Sequence, residues 1–241
     1  MKYTYKYKRQ VEDLRDFKFI PTHTVETLPK SVDLRNIMPK KVYHQGRIAS
    51  CTANSIGCIV HTLSNFMPSR LFIYYNERVV ENTVNKDIGA DIRTGIKTIN
   101  KLGVCSEDLW IYDVRKYKVK TSDSCYESAL LHQSLVYNAI PQDELSIKSA
   151  LASGFPIAFA FDVKESFKSK KMYNTGIYEP NENEETVDSH AVTIVGYKDD
   201  KFIIRNSWGN RWGQKGYFTM PIKDVINETI SYDFWIIKKM E

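Results

Sequence analysis

Apolar positions along the chain change their spacing once, near residue 140. Before that point they recur at helical intervals. Ile56, Ile59, Val60 and Leu63 follow Cys51 with the i, i+3, i+4, i+7 spacing of one helix face. Ser50 stands just ahead as an N-cap candidate. A second helix is expected after Pro68-Ser69, running through Leu71, Phe72, Tyr75 and Val79. A third places Ile92, Ile96 and Ile99 on one face and stops at Gly103. Beyond residue 140, a short helix over Glu144–Leu151 gives way to β-rich runs at 156–163, 190–197, 202–205, 216–220 and 234–237, with a polar acidic turn at 181–185. A helical half, about 45–140, followed by a strand-rich half, about 141–241, predicts an α+β protein of two lobes with a cleft between them. Residues 28–50 carry Pro29 and Pro39 and no helical period, so an extended segment and a loop are expected there. Residues 1–27 form a charged, aromatic N-terminal extension. Tyr3, Tyr5 and Tyr7 alternate as in an extended strand, and Phe17 and Phe19 repeat the pattern.

Composition narrows the classes. Of 241 residues, 42% are apolar and 26% charged, which are ordinary globular values and exclude a disordered chain. A net charge of +5 makes no case for a nucleic-acid partner. No stretch approaches the roughly 18 apolar residues of a membrane helix. The basic N-terminus has no apolar run behind it, so no signal peptide is expected. The four cysteines contain no C-x-x-C pair, which removes support for a zinc site. They are also too sparse for a disulfide scaffold and point to a reducing compartment. Cys58 lies seven residues after Cys51, about 10.5 Å along a helix. That exceeds the roughly 7 Å a disulfide can span, so Cys58 is expected in the core. Whether Cys105 and Cys125 pair is left open.

Cys51 is the first candidate for chemistry. At the first position of a helix, unpaired N–H groups and the macrodipole stabilise a thiolate. A buried structural cysteine is nevertheless the commoner fate of a free thiol. Three strings decide between these. Residues 45–53 read Gln-Gly-Arg-Ile-Ala-Ser-Cys-Thr-Ala, residues 188–197 Asp-Ser-His-Ala-Val-Thr-Ile-Val-Gly-Tyr, and residues 205–218 Arg-Asn-Ser-Trp-Gly-Asn-Arg-Trp-Gly-Gln-Lys-Gly-Tyr-Phe. His190 follows Cys51 by 139 residues and Asn206 follows it by 155. Together these resemble the papain-like cysteine peptidases, the cathepsin family, whose His and Asn come roughly 130–150 residues after the Cys. The stretch Leu28-Pro29-Lys30-Ser31-Val32-Asp33 resembles the start of a mature domain of that family, so the likeness spans residues 28 to about 239.

The resemblance implies a papain-like two-lobe fold: a helical left lobe, a β-barrel-like right lobe and the active-site cleft between them. It implies a catalytic domain over 28–241 and a cysteine peptidase that cleaves peptide bonds through a thioester acyl-enzyme. Cys51 would attack as thiolate, paired with a His190 imidazolium that then protonates the leaving amine. Asn206 would orient the imidazole. Gln45 would donate to the oxyanion beside the Cys51 backbone N–H. Trp208 would cover the Asn–His bond and border the substrate. Gly89, Ala90 and Asp91 would line the substrate backbone, and Ser189 would offer its carbonyl. Among the other histidines only His44, next to Gln45, could lie near the cleft.

No metal or organic cofactor is implied. The expected partners are peptide or protein substrates, with no nucleic acid and no membrane, and the expected state is a monomer. Ile48-Ala49 replaces the family's usual Cys-Gly, Thr52 replaces the bulky Trp, and the long helical propeptide of the cathepsins is missing. These departures argue against secretion and for an intracellular or virion-associated protein, most like short members from microbes and large viruses. Residues 1–27 are expected to dock on the catalytic domain, either as an inhibitor in or beside the cleft or as a brace. Two rival readings remain: an acyl transferase using the same machinery, and a papain-like protein that only binds peptide.

Overall fold

The computed structural model describes residues 4–64, 66–181 and 183–241. Tyr3 and Glu182 of the patterns above lie outside them. Helices α1 (Cys51–Ser64), α2 (Arg70–Val80) and α3 (Ile92–Leu102) form where the helical spacing predicts. Ser69 accepts the Phe72 N–H at 3.2 Å and Asp91 accepts the Thr94 N–H at 2.7 Å, satisfying donors that a helix start leaves without partners. Gly103 ends α3 at φ 69°, where an added Cβ would meet the Ala129 carbonyl oxygen at 1.6 Å. Ser50 departs from its expected role. Its hydroxyl bonds Tyr112 Oη at 2.6 Å and accepts the Asn54 amide at 3.1 Å.

The remaining elements are β1 (Ser31–Asp33), α4 (Asp123–Ala129), β2 (Ser134–Ala139), α5 (Glu144–Ala152), β3 (Ile157–Lys164), α6 (Lys170–Thr175), β4 (Thr186–Lys198), β5 (Lys201–Arg205), β6 (Tyr217–Pro221), α7 (Ile222–Val225) and β7 (Ser231–Met240). The strands make one antiparallel sheet in the order β2-β7-β3-β4-β5-β6, and β1 pairs with the end of β4. The expected barrel is therefore corrected to an open sheet. Its end strands are met by other segments instead of each other: Lys18 bridges to Ala139 on β2, and Ile177 bridges to Thr219 on β6. Those bridges cover part of the edges that closure would have paired. Two strand limits also differ from expectation. β2 was not foreseen, and β4 begins four residues before His190, because the polar residues of its first turn pair with the outer end of β3.

Alternation along the central strands feeds two cores. Ala158, Ala160, Ala191 and Val195 face α1, packing with Ile56, Ile59, Phe72 and Ile96. The small alanines let the helix approach the sheet. The opposite face carries Phe159, Phe161, Val192, Ile194 and Phe234, which pack with Trp212, Phe218 and Leu151. Phe161 is fully buried and touches the rings of Phe159, Phe167, Tyr178 and Phe218. Phe161→Ala should lower unfolding stability by about 3–5 kcal/mol in urea titration, and a loss below ~1 kcal/mol would remove it from the centre of the core. Among the described residues, no helix is long and apolar enough to cross a membrane.

The four cysteines are free thiols, all buried. Cys105 and Cys125 touch through a hydrogen bond but are not joined, and burial pushes the Cys105 thiol up to about 12. Cys58 lies in the core as expected, with Sγ 3.1 Å from the Ser55 carbonyl. In the N-terminal segment, Tyr5 and Tyr7 are both buried, but Phe17 and Phe19 part company. Phe19 is 2% exposed and Phe17 is 77% exposed. The bridge at Lys18 and the Asn138 amide hold this stretch to the edge of β2 by its backbone, while the Phe17 side chain stays exposed.

Candidate active site

Cys51 opens α1, and the chain before it is tied to the turn after β5. The Gln45 N–H donates to the Ser207 carbonyl at 2.9 Å, His44 bridges to Trp208, and the Gly209 N–H donates to the Tyr43 carbonyl at 2.9 Å. This short antiparallel zipper carries Gln45 to the Asn206-Ser207-Trp208 turn across about 160 residues of sequence. α1 is fastened to β4 by Ser55, whose hydroxyl donates to the Val192 carbonyl at 2.8 Å. The same strand holds His190, paired across the sheet with Phe161. Cys51 and His190 therefore sit on two elements locked together one turn away, and the Cys51 sulfur takes the Ala191 backbone N–H.

The Asn206 Oδ1 lies 2.9 Å from His190 Nε2 and also accepts the Ser207 N–H at 2.7 Å. Trp208 stacks on the imidazole, with centroids 5.2 Å apart and planes at 25°. The indole thus shields the Asn–His bond. Gln45 is fully buried. Its Nε2 donates to the Thr4 carbonyl at 3.0 Å and the Ile48 carbonyl at 3.1 Å, while Oε1 accepts the Ser207 hydroxyl at 2.5 Å. Sequence reasoning passed over Ser207. It fixes which end of the Gln45 amide is oxygen, so that the nitrogen points into the cleft. The signal was already in the Asn-Ser-Trp string, read there only as part of a pattern.

His44 stays at the rim. It is exposed, and its Nδ1 accepts the Gly46 N–H at 3.0 Å.

Residues 4–8 cross this site. The Lys6 carbonyl oxygen lies 3.7 Å from Cys51 Sγ, and the Lys6 N–H donates to the Ser189 carbonyl at 3.1 Å. Ser189 Oγ donates to the Tyr7 carbonyl at 3.0 Å, and the Lys8 N–H donates to the Ala90 carbonyl at 3.2 Å. Gly89, at φ +80°, meets the same strand so closely that a Cβ there would come within 2.0 Å of the Lys6 carbonyl. Ala90, Gly89 and Ser189 thus hold a main chain. Asp91 does not point there. Both of its carboxylate oxygens are engaged by Thr94 at the start of α3.

Burial favours the uncharged form of both members of the pair. Tyr5 packs edge-on against both His190 and Trp208. Burial pushes the Cys51 thiol up to about 12. Burial also pushes the His190 imidazole down to about 4, against the opposing pull of Asn206. Its Nδ1 has no hydrogen-bond partner among the described residues. The sequence predicts a thiolate held by the helix start and His190. In the covered site desolvation outweighs both, and the pair is neutral.

The profile of the papain family cysteine protease matches residues 28–234. A peptidase C1-like protein of Acanthamoeba polyphaga mimivirus, itself uncharacterised, is 45% identical over 97% of this chain and 84% of the viral one. The crystal structure of xylellain, a cysteine protease from Xylella fastidiosa, superposes with a TM-score of 0.91 at 41% identity, covering 98% of this chain and 96% of that one. Mouse procathepsin L is 29% identical over 79% of this chain, which spans 59% of the procathepsin. The chain belongs to the papain family and is a cysteine peptidase.

Proposed function

We propose that Cys51, His190, Asn206 and Gln45 cleave peptide bonds in peptide or protein substrates, and that residues 4–8 hold the full-length chain in a latent form. The carrying observation is the main chain of residues 4–8 seated over Cys51 by the groups a substrate would use: the Ser189 and Ala90 carbonyls and the Gln45 amide. Cys51 attacks the carbonyl carbon, Gln45 Nε2 and the Cys51 N–H take the oxyanion, and the amine leaves with the proton of His190. Water then enters at the thioester, with His190 as base. Asn206 and Trp208 keep the ring in place throughout.

The direction of the segment explains why it is not itself cut. The leaving amine must lie beside His190, so the leaving side of the cleft is the Trp208 wall. A cavity of about 690 Å³ remains there, walled by Phe167, Tyr173, Trp208 and Trp212. The acyl side is the Gly89–Ala90 side. A substrate runs N to C from acyl side to leaving side. Residues 4–8 run the other way, from Tyr5 at Trp208 to Lys8 at Ala90. A reversed peptide bond does not set its nitrogen next to His190 when its carbonyl meets Cys51.

The test compares the full-length chain with a variant starting at Leu28, both titrated for reactive Cys51. Turnover per active thiol should rise at least ~10-fold on truncation, the loss of several buried contacts of about 1 kcal/mol each. Equal turnover with a lower Tm would leave the segment as a brace only. Adding an amine acceptor to the same assay separates hydrolysis from acyl transfer by its products.

A further inference from the structure

A tyrosine from the segment between α3 and α4 reaches the backbone of Gln45. Tyr112 Oη donates to the Gln45 carbonyl at 2.7 Å, and Ser50 Oγ lies 2.6 Å from the same phenol oxygen. The phenol has one proton and the Gln45 carbonyl takes it, so the Ser50 hydroxyl donates to Tyr112. Tyr112 thus ties Gln45 to the residue directly before Cys51. Burial pushes the Tyr112 hydroxyl up to about 12, so it keeps its proton across the neutral range.

The direction of this link is fixed from its far end. Arg70 grips Glu107 with two hydrogen bonds, Nε to Oε2 at 2.8 Å and Nη2 to Oε1 at 2.6 Å. Its Nη1 donates to Asn54 Oδ1 at 3.0 Å, which decides which end of that buried amide is nitrogen. Asn54 Nδ2 then donates to the Ser50 carbonyl at 2.8 Å and to Ser50 Oγ at 3.1 Å. With a lone pair of Ser50 Oγ engaged by Asn54, its proton is left for Tyr112. The donors of Arg70, Asn54, Ser50 and Tyr112 therefore all point toward Gln45. The guanidinium of Arg70 also lies between two rings, 4.0 Å from the centroid of Tyr112 and 4.5 Å from that of Tyr43. Two residues before Tyr112, the Trp110 carbonyl accepts the Ser69 hydroxyl at 2.7 Å, which pins the segment to the start of α2.

The two donors assigned to the oxyanion come from separately anchored pieces of chain. Gln45 is tied to the turn after β5, through the Ser207 hydroxyl and the Ser207 carbonyl. The Cys51 N–H belongs to α1. Resting on the reading of Gln45 as an oxyanion donor, we propose that Tyr112 is a positioning residue for the peptidase reaction: its hydroxyl, bridging the Gln45 carbonyl and Ser50, fixes the spacing between the Gln45 amide and the Cys51 N–H. A preorganised pair of donors meets the charge that develops on the carbonyl oxygen without having to move. A donor displaced by a fraction of an ångström weakens the transition state more than it weakens the bound substrate. The effect of Tyr112 runs through Gln45, not through contact with the sulfur.

The experiment is a double-mutant cycle in the full chain, with kcat and KM for a fluorogenic peptide amide measured per titrated Cys51. Tyr112→Phe keeps the ring on Arg70 and removes only the hydroxyl. It should lower kcat ~10-fold and leave KM within ~2-fold, because a misplaced donor forfeits part of what a deleted one forfeits. Gln45→Ala should lower kcat at least ~10²-fold. Once Gln45 is Ala, adding Tyr112→Phe should cost less than ~2-fold more, since the two changes remove one effect. An equal loss in both backgrounds overturns the proposal, and so does a raised KM or a lowered Tm with kcat unchanged. Should Tyr112→Phe not fold, Ser50→Ala keeps the ring and takes away the donor that aims its hydroxyl; the loss in kcat should again vanish in the Gln45→Ala background. An unaltered kcat in Gln45→Ala removes Gln45 from the oxyanion site and the proposal with it. An impaired Gln45→Ala beside an unimpaired Tyr112→Phe overturns the proposal alone.

Discussion

Cys51→Ala should abolish peptide hydrolysis, lowering kcat on the order of 10⁶-fold, as removal of a nucleophile does in triad hydrolases. No second group can take its place. Cys58 is buried in the core, and Cys105 and Cys125 lie against each other elsewhere. The fold should persist. Cys51 is the first residue of α1, Ala is the best helix former, and the sulfur's contacts are weak ones, a long one to the Lys6 carbonyl and one from the Ala191 N–H. A peptide-library digest read by mass spectrometry measures the loss, and near-UV circular dichroism checks the fold. Residual cleavage within ~10-fold of the parent would move the nucleophile to another residue and end the assignment.

The second large effect concerns charge. In the covered site the thiol holds its proton up to about pH 12 and the imidazole stays neutral above about pH 4. The signs run together: an acid raised by burial and a base lowered by burial both favour the uncharged form across that interval. Iodoacetamide reacts with thiolate, so the full-length chain should label at Cys51 very slowly at mildly acidic pH. The variant starting at Leu28 no longer has Tyr5 against His190 or Lys6 over the sulfur. Water and the imidazolium then stabilise the thiolate, and labelling should accelerate by at least ~10³-fold, the scale of a pKa change of several units. Its activity should follow a bell with limbs belonging to the coupled pair. Mass mapping of the labelled peptide identifies the site. Equal labelling rates in the two chains would mean that residues 4–8 do not set the state of the pair.

Residues 4–8 are held over the cleft by modest contacts. Lys8 pairs with Glu81 at 3.2 Å from an exposed position, and Arg9 lies over the Tyr232 ring at 4.5 Å. Exposed ion pairs are worth about 0–1 kcal/mol and weaken with salt. The buried Tyr5 and Tyr7 carry more of the attachment, through rings packed on His190, Trp208 and Tyr232. Lys6, between them, is held at φ +121°, a region that L-residues seldom occupy. Strain at the residue nearest Cys51 works against the attachment and favours release.

What the sequence determined by itself is what depends on near neighbours in the chain. Helices α1, α2 and α3 follow from apolar spacing with Ser69, Asp91 and Gly103 at their ends, because helical hydrogen bonds span four residues. The proposal of Cys51, His190, Asn206 and Gln45 as the reacting set rests on strings that resemble a family's, not on anything local that brings Gln45 to Ser207. The tertiary structure decided the rest. It opened the sheet, because its end strands found bridges to residues 18 and 177. It turned Asp91 toward Thr94 and brought Tyr112 onto the Gln45 carbonyl across 67 residues of sequence. It laid Tyr5 to Lys8 across the cleft in the reverse sense, through contacts 45 and more residues apart in sequence. It also buried the Cys51–His190 pair, since desolvation belongs to whatever packs on a group, and residues 4–8 lie over the pair only once the two lobes have folded beneath them.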